Sequence, residues 1–240
     1  MSTRICSSSN ADLTFVIQWL KDEQNNPREG FYCNRDVIAR AHEKGCMQVL
    51  RANDEPVAFL ANGITLGGIL EVHPEHRGHG YGRELADHGI RVGRAQGANV
   101  LDIECTPFAS LGFWKHLGFE QLRDHYARMV LETNLPLPQR GSATDVTIDY
   151  FREGGSKPRT RRFEPPAVRG KQGQVHLGQR MVFDDSPWYS GDAIARISVD
   201  GVTIYGSKVK YEEAEALGIK RDDYGVYYLD SLTLLPHTSE

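Results

Sequence analysis

The 240-residue sequence has no apolar run longer than a few residues and only four cysteines. A membrane-spanning helix needs about 20 apolar residues, and the first residues lack the apolar core of a secretion signal. The cysteines, Cys6, Cys33, Cys46 and Cys105, form no C-x-x-C pair, which argues against a zinc ribbon or a disulfide scaffold. These absences exclude a membrane protein and an exported protein, and they predict a cytoplasmic location.

The charge is modest overall but unevenly distributed. The formal net charge is −4 and charged residues make up 25% of the chain, as in an ordinary globular protein. Residues 141–180 carry 8 Lys and Arg against 4 Asp and Glu, whereas residues 181–240 carry 5 against 11. A basic segment followed by an acidic one indicates either an anionic ligand or a contact between the two segments.

The first 133 residues predict a mixture of helices and strands. Leu13, Val16, Ile17 and Leu20 recur with helical spacing after Asn10, the expected N-cap. A second helix over residues 34–44 should end at Gly45. Strands are then expected at 47–52, 56–61 and 64–73, a helix from 78–82 to about 96, a strand at 99–106, a helix at 110–117 and a strand at 120–132. This order predicts an α+β domain over residues 1–133.

A second domain is expected after a linker. Two prolines, a glycine and small polar residues over 134–144 are typical of a connecting segment. The remaining chain has several short β-rich runs, with Asp200-Gly201 as a hairpin turn and a short acidic helix over 211–217. These runs predict a small β-barrel over residues 145–240.

The most informative segment connects a predicted strand to a predicted helix. It reads Leu70-Glu-Val-His-Pro-Glu-His-Arg-Gly-His-Gly-Tyr-Gly-Arg83. Glycines let backbone N–H groups turn toward one point, the helix N-terminus adds partial positive charge, and Arg77 and Arg83 add full charges. The glycine spacing is neither that of a P-loop nor G-x-G-x-x-G. The segment therefore predicts an anion site of another type.

This segment resembles the acyl-CoA pyrophosphate loop of GNAT-superfamily N-acetyltransferases, in the pattern Val-x-Pro-x-x-Arg-Gly-x-Gly-x-Gly. Phe113-Trp-Lys-His-Leu-Gly-Phe119 is similar to the family's Phe-Tyr-x-x-x-Gly-Phe. The resemblance covers residues 10–133, and it implies a mixed sheet flanked by helices and acetyl-CoA as the cofactor. The cofactor contacts that it implies are Leu70, Val72, Arg77, Gly78, His79, Gly80, Tyr81, Gly82, Arg83 and Phe113.

The resemblance also implies a mechanism. A neutral amine attacks the thioester directly, a backbone N–H near Leu70 to Val72 stabilises the oxyanion, and a carboxylate takes the amine proton. The candidate bases are Glu104 and Glu71. In many members a tyrosine protonates the leaving thiolate. Here that position is Trp114, whose indole delivers no proton and is expected to line the pocket. The alternative acids are His116, Cys105 and Tyr126.

Three histidines in the loop are spaced like metal ligands but lack the right setting. His73, His76 and His79 recur at every third residue. The proline and glycines between them do not hold the rings on one helix face, and no Cys or carboxylate completes a set. The sequence therefore predicts no metal site.

The basic segment of the second domain carries a further motif. Gly155-Ser-Lys-Pro-Arg-Thr-Arg-Arg162 resembles the Gly-x-Lys-x-x-Thr-x-Arg signature of ASCH domains, relatives of the PUA RNA-binding fold, and Ser190-Gly-Asp192 resembles their Gly-Asp turn. The resemblance implies an RNA or nucleotide ligand at Lys157, Thr160 and Arg162. The residues that could stack on bases are Tyr150, Phe151 and Phe163. Some members of this family hydrolyse acetylated nucleosides with a Lys, a Thr and a Glu, and the candidates for that carboxylate are Glu212, Glu213 and Glu215.

Three functions follow from these motifs. The leading hypothesis is an acetyl-CoA-dependent N-acetyltransferase for a primary amine, with an appended domain that recognises RNA or nucleotides. One alternative is a CoA-binding scaffold whose barrel binds RNA or processes acetylated nucleosides. The other is a small-amine acetyltransferase whose second domain is structural or supports a homodimer.

Overall fold

The structure is a computed structural model that describes residues 2–23, 30–152, 159–183, 193–208 and 215–234. The chain divides into two compact units, Met1–Leu131 and Glu132–Glu240. Helices and strands alternate in the first unit and strands dominate the second, so the predicted α+β class is confirmed. Among the described residues, no helix is long and apolar enough to cross a bilayer.

The N-terminal unit contains seven strands and four α-helices in its described residues. The strands are β1 Thr3–Ser7, β2 Met47–Ala52, β3 Glu55–Ala61, β4 Ile69–Val72, β5 Val100–Glu104, β6 Glu120–Arg123 and β7 Tyr126–Val130. The helices are α1 Asn10–Glu23, α2 Arg35–Glu43, α3 Tyr81–Ala95 and α4 Leu111–His116.

The strands of this unit form two antiparallel sheets. The first has the order β1-β2-β3-β4 and the second has the order β5-β7-β6, so β4 and β5 are both edge strands. One hydrophobic cluster joins α3 and α4 to both sheets, and another packs α1 and α2 against the opposite face of the first sheet. Alternate residues of β3 and β4 therefore face α3 on one side and α1 with α2 on the other.

Three elements of this unit differ from the sequence prediction. β1 was not predicted because Ile5 is its one strongly apolar residue, and it forms by pairing with β2. The expected strand over 64–73 shortens to β4, because residues 63–68 close a tight loop in which Gly68 N–H donates to Thr65 O at 2.9 Å. The expected strand over 120–132 is the hairpin of β6 and β7, which turns at Asp124 with φ +40°.

Strands make up most of the regular structure in the described residues of the second unit, beside a short 3-10 helix at Lys171–Gly173. The strands are β8 Ser142–Ala143, β9 Val146–Arg152, β10 Arg159–Phe163, β11 Ala167–Arg169, β12 Gln174–Phe183, β13 Ala193–Val199, β14 Val202–Lys208, β15 Ile219–Arg221 and β16 Tyr227–Thr233. They form two sheets, β10-β9-β13-β14 and β15-β16-β12-β11-β8, which share one hydrophobic cluster. The described strands thus enclose a core between two sheets, where the sequence predicted a barrel.

Residues 134–144, which were expected to form a linker, pair with strands of the second unit. Asn134 forms a bridge with Gln179, Leu135 N–H donates to Gly178 O at 2.9 Å, and β8 pairs with β11. The expected helix over 211–217 lies mostly outside the described residues.

A buried carboxylate fixes the start of α1. The hydroxyl and backbone N–H of Ser9 donate to Asp12 Oδ2 at 2.7 and 2.8 Å, and Asp12 N–H donates back to Ser9 Oγ at 3.3 Å. Ser9, rather than the predicted Asn10, is therefore the capping residue. Asp12 is 2% exposed and forms an ion pair with Arg51 of β2. Burial alone would raise the pKa of Asp12, but the Ser9 hydrogen bonds and Arg51 outweigh it and lower the pKa below 3.8.

We expect Asp12→Asn to destabilise the protein by about 3 kcal/mol at pH 7, because it leaves Arg51 without its carboxylate. Urea unfolding measures this, with Asp22→Asn on the exposed side of α1 as the matched control. Since the folded-state pKa is depressed, the stabilisation is present above pH 3.8 and is lost only as the pH falls through the folded-state pKa. Equal stability of the two variants at pH 7 would contradict the assigned role of Asp12.

Candidate active site

The loop between β4 and α3 has the backbone conformation of an anion site. Gly78 and Gly80 lie in the left-handed region, with φ of +82° and +85°, and nothing lies within 4 Å of a Cβ built on either residue. Gly80 is the N-cap of α3 and provides no side-chain cap. The N–H groups of Gly82 and Arg83 lie in the first turn, where the helix offers them no carbonyl acceptor. This helix N-terminus is therefore open to an anionic group.

A cavity of about 800 Å³ lies beside this loop. Its lining comes from β4, the end of β5, the loops around them and α4, so it lies where the two sheets part. The predicted residues that line it are Leu70, Glu71, Val72, Arg77, Gly78, Gly80, Tyr81, Gly82, Arg83, Glu104, Phe113 and Trp114. The structure thus brings the two motifs of the sequence, and both candidate bases, to one cleft.

One edge of β4 faces this cleft with its backbone groups. His73 N–H donates to Val57 O at 2.9 Å, so the antiparallel alternation directs the N–H groups of Val72 and Leu70 away from β3. Val72 N–H donates to Glu71 Oε1 at 3.2 Å, and Arg77 Nε donates to Val72 O at 3.2 Å. Leu70 N–H is directed to the same edge, where it is placed to donate to a bound ligand.

Glu71 is a largely buried carboxylate at this edge. Its side chain is 14% exposed, and Arg77 Nη2 lies 3.1 Å from Glu71 Oε1 and 2.9 Å from Glu23 Oε1. Burial raises the pKa of Glu71 above its ordinary value of 4.5, although the charge of Arg77 opposes the rise. The sequence assigned Arg77 to the anion, but its guanidinium contacts these two carboxylates. The open helix terminus therefore presents mainly backbone donors.

Glu104, the other candidate base, lies in a more solvated setting. Its side chain is 43% exposed at the end of β5, and Glu104 Oε1 lies 3.3 Å from His125 Nε2. Arg83 is also exposed at the rim, 3.8 Å from Asp87. The two carboxylates of the cleft therefore differ in burial, with Glu71 the buried one.

Trp114 fills space at the cleft wall. It is 8% exposed and packs edge-on against Phe113 and Phe119, with ring centroids 5.0 and 5.2 Å apart.

None of the three alternative acids, Cys105, His116 and Tyr126, lines the cavity. Burial raises the pKa of the Cys105 thiol. His79 also lies outside the cavity lining and stacks on Tyr81 at 5.8 Å.

Several cleft residues carry no sequence motif and were missed by the sequence analysis. Phe31, Asn34 and Val37 line the cavity from the segment before α2 and from α2 itself, and Thr65 and Leu66 line it from the loop between β3 and β4. The sequence indicated only the apolar spacing of the predicted helix over 34–44, and such spacing does not show that the helix lies near the glycine loop.

The predicted nucleic-acid residues are only partly described. Lys157, Ser190-Gly-Asp192, Glu212 and Glu213 lie outside the described residues, and Thr160 lies on β10. Arg162 donates to both oxygens of Asp149 at 2.7 and 3.2 Å. Tyr150 was expected to stack on a base, but it is 4% exposed in the core, 5.9 Å from Phe183. That expectation was wrong because the alternation of β9 turns Tyr150 inward.

Metal ligands do not converge in the described part of the chain. Within those residues, no group of three or more His, Cys, Asp or Glu side chains is placed to hold an ion. His73 instead stacks with Phe15 and contacts Trp19 edge-on.

The fold and the cleft define the class of the N-terminal unit. It is an α+β domain in which an open helix N-terminus and a buried carboxylate, Glu71, line one cleft. Residues 13–119 match the family model described as the Acetyltransferase (GNAT) family. This part of the chain is therefore a GNAT acetyltransferase domain, and the enzyme class is that of the N-acetyltransferases. The match ends before the second unit begins.

Solved structures of acetyltransferases resemble about half of the chain. A GNAT family acetyltransferase from Brucella melitensis in complex with acetyl-CoA is 15% identical, with a TM-score of 0.44 over 56% of this chain and 92% of that one. Ard1 from Thermoplasma volcanium is 16% identical, with a TM-score of 0.43 over 55% and 99%. YncA, a putative acetyltransferase from Salmonella typhimurium with its cofactor acetyl-CoA, is 17% identical, with a TM-score of 0.43 over 58% and 100%.

No curated protein matches the chain in sequence. Because the identities and TM-scores of the solved structures are low, the assignment rests on the family model and on the residues of the cleft.

Proposed function

We propose that the chain transfers an acetyl group from acetyl-CoA to a primary amine by direct attack. The observation that carries the proposal is the presence in one cleft of an open glycine-rich helix N-terminus and a buried carboxylate, Glu71. The donor set fits a pyrophosphate, since the positive φ at Gly78 and Gly80 exposes backbone N–H groups and no Cβ fills the space. Acetyl-CoA supplies an acetyl group activated as a thioester.

The residues at the edge of β4 perform the proposed chemistry. Leu70 N–H donates to the acyl oxygen as negative charge develops on it. Glu71 takes the proton that the amine must lose before it attacks. We prefer Glu71 to Glu104 as the base because burial raises its pKa, and a stronger base accepts the amine proton more readily. Trp114 excludes water from the thioester.

A second candidate function is RNA or nucleotide recognition by the β10-β9-β13-β14 sheet. Arg162 and Arg196 lie opposite Asp149 in the register and share its face of the sheet, and Phe151 lies on that face with Arg196 5.7 Å from its ring. Lys208 lies opposite Ile194, two residues from Arg196. A sheet face that carries Arg162, Arg196 and Lys208 with one aromatic ring suits a phosphate backbone and a stacked base.

We expect Gly80→Asp to abolish acetyl-CoA binding, because the side chain places bulk and negative charge at the open helix N-terminus. Isothermal titration calorimetry with acetyl-CoA measures the Kd. Gly45→Asp is a matched control, since Gly45 also has a positive φ and open space around its Cβ position. Unchanged affinity in Gly80→Asp would exclude this loop as the pyrophosphate site.

We expect Glu71→Gln to lower kcat by about 100-fold or more at pH 7, and Glu104→Gln to have a much smaller effect. A base acts when deprotonated, so activity falls as the pH drops through the pKa of Glu71, which lies above 4.5. This acid limb should disappear in Glu71→Gln. Free-thiol release from acetyl-CoA with an excess of amine gives both profiles, and an unchanged limb in Glu71→Gln would assign the base elsewhere.

We expect the double variant Arg162→Gln, Arg196→Gln to weaken binding of single-stranded RNA and to reduce its salt slope by about 1.4, at about 0.7 for each phosphate contact. Filter binding between low and moderate salt measures the slope. Lys220→Gln with Arg221→Gln on β15 is the control pair. If the wild-type protein binds no RNA at low salt, this sheet face has another role.

A further inference from the structure

The first sheet separates the cleft into a side near α3 and a side near α1 and α2. Leu70 and Val72 pack against the cluster that contains α3, whereas Ile69 belongs to the cluster of α1 and α2. Glu71 alternates with Leu70 and Val72, so its side chain lies on the α1 and α2 side and pairs there with Glu23 through Arg77. The open terminus of α3 lies on the other side. A second substrate that uses Glu71 therefore approaches from the side of α1 and α2.

The described wall on that side is apolar or neutral. Phe31 and Val37 are half-buried, and they line the cavity while packing against the α1 and α2 cluster. Asn34 and Thr65 add neutral polar groups. The ionisable side chains that the structure describes here are Glu71, Glu23, Arg77 and His76. Arg77 contacts both carboxylates. This wall complements a cation at one end and an apolar body beyond it.

Leu66 presents an apolar side chain at the mouth of the cleft. It is 54% exposed and lies in the loop 63–68, whose Gly68 backbone comes so close to Gly63 O that a Cβ would lie 2.1 Å away. The Gly68 N–H to Thr65 O hydrogen bond closes this loop, from which Leu66 lines the cavity. Contact with an apolar substrate would remove its surface from water.

We infer that the acceptor is a monoamine with an apolar, uncharged body, such as an arylalkylamine, and neither an amino acid nor a polyamine. The inference rests on the proposed function and specifies its substrate. The ammonium lies beside Glu71 and the body lies along Phe31, Val37 and Leu66. Glu71 and Glu23 already share the single guanidinium of Arg77, so an amino acid would add a third carboxylate to one cation. A polyamine would place a second ammonium on an apolar wall, which is also unfavourable.

The transfer is balanced in atoms and charge. The ammonium gives one proton to Glu71, the amine nitrogen forms the C–N bond to the acetyl carbonyl carbon, and the C–S bond breaks. The second proton lost by the nitrogen and the negative charge of the thiolate combine as the free thiol of CoA. The products are an amide and a thiol, and Glu71 releases its proton to solvent.

The test compares amines at equal concentration with the full chain and saturating acetyl-CoA, read as free thiol. We expect kcat/KM for 2-phenylethylamine to exceed that for L-phenylalanine by about 100-fold and that for spermidine by about tenfold. Leu66→Ser should lower kcat/KM for 2-phenylethylamine severalfold more than it lowers kcat/KM for methylamine. Val92→Ser is the control, because Val92 is 39% exposed on α3 and does not line the cavity.

The possible outcomes distinguish a failure of this substrate inference from a failure of the proposed acetyltransferase function. A preference for L-phenylalanine or spermidine, or an equal effect of Leu66→Ser on 2-phenylethylamine and methylamine, overturns the inference and leaves the acetyltransferase intact. So does a protein that binds acetyl-CoA and acetylates another amine but not 2-phenylethylamine. A protein that binds no acetyl-CoA overturns the proposed function itself.

Discussion

The unpaired edge of β4 is the constraint on which the N-terminal unit depends. β4 pairs with β3 on one side, and its other side faces the cleft between the two sheets. Backbone groups at a strand edge must find partners or stay in contact with water. At Val72 the partners are side chains, since Glu71 accepts from the N–H and Arg77 donates to the C=O. The same contacts therefore satisfy the edge and position the buried carboxylate.

This arrangement links the burial of Glu71 to the anion loop. Arg77 follows directly on the turn after β4 and precedes Gly78, so the residue that contacts Glu71 also begins the loop. Without the guanidinium, burial would raise the pKa of Glu71 further, since Arg77 opposes that rise. Arg77 thus keeps the carboxylate ionisable in a poorly solvated position, while the glycines after it leave the helix terminus open. Arg77 therefore contacts the carboxylate on one side of the cleft and directly precedes the glycine loop on the other.

Much of the cleft could be predicted from the sequence because its chemistry is local. The glycine segment follows a strand and begins a helix, and the positive φ of Gly78 and Gly80 gives it the geometry expected of an anion site. The apolar periods of α1, α2 and α3 likewise reflect burial of one face. The order of elements and one side of the cleft followed from these short-range patterns.

The remainder depends on contacts between distant residues. Glu23 and Arg77 are 54 positions apart, so no window of sequence shows their ion pair. Leu66 was predicted within a strand, because a hydrophobic pattern does not reveal the close approach of Gly68 to Gly63. In the second unit, the sequence did not predict β10, because its basic residues conceal the strand alternation; β11 and β12 were not predicted either. The pairing of Arg162 with Asp149 depends on the sheet, which brings β10 and β9 side by side.

The tryptophan at the family's tyrosine position is compatible with transfer from a thioester on energetic grounds. Trp114 and the Cys105 thiol, whose pKa is raised by burial, deliver no proton readily. For a thiol with the reference pKa of cysteine, about 8.5, the thiolate is only about 2 kcal/mol less stable than the thiol at pH 7. Water supplies that proton without a dedicated acid. The step that needs the protein is removal of the amine proton, because an alkylammonium loses its proton only near pH 10. In the proposed reaction, the catalytic demand therefore falls on the β4 edge and on Glu71, and Trp114 fills space at the cleft wall.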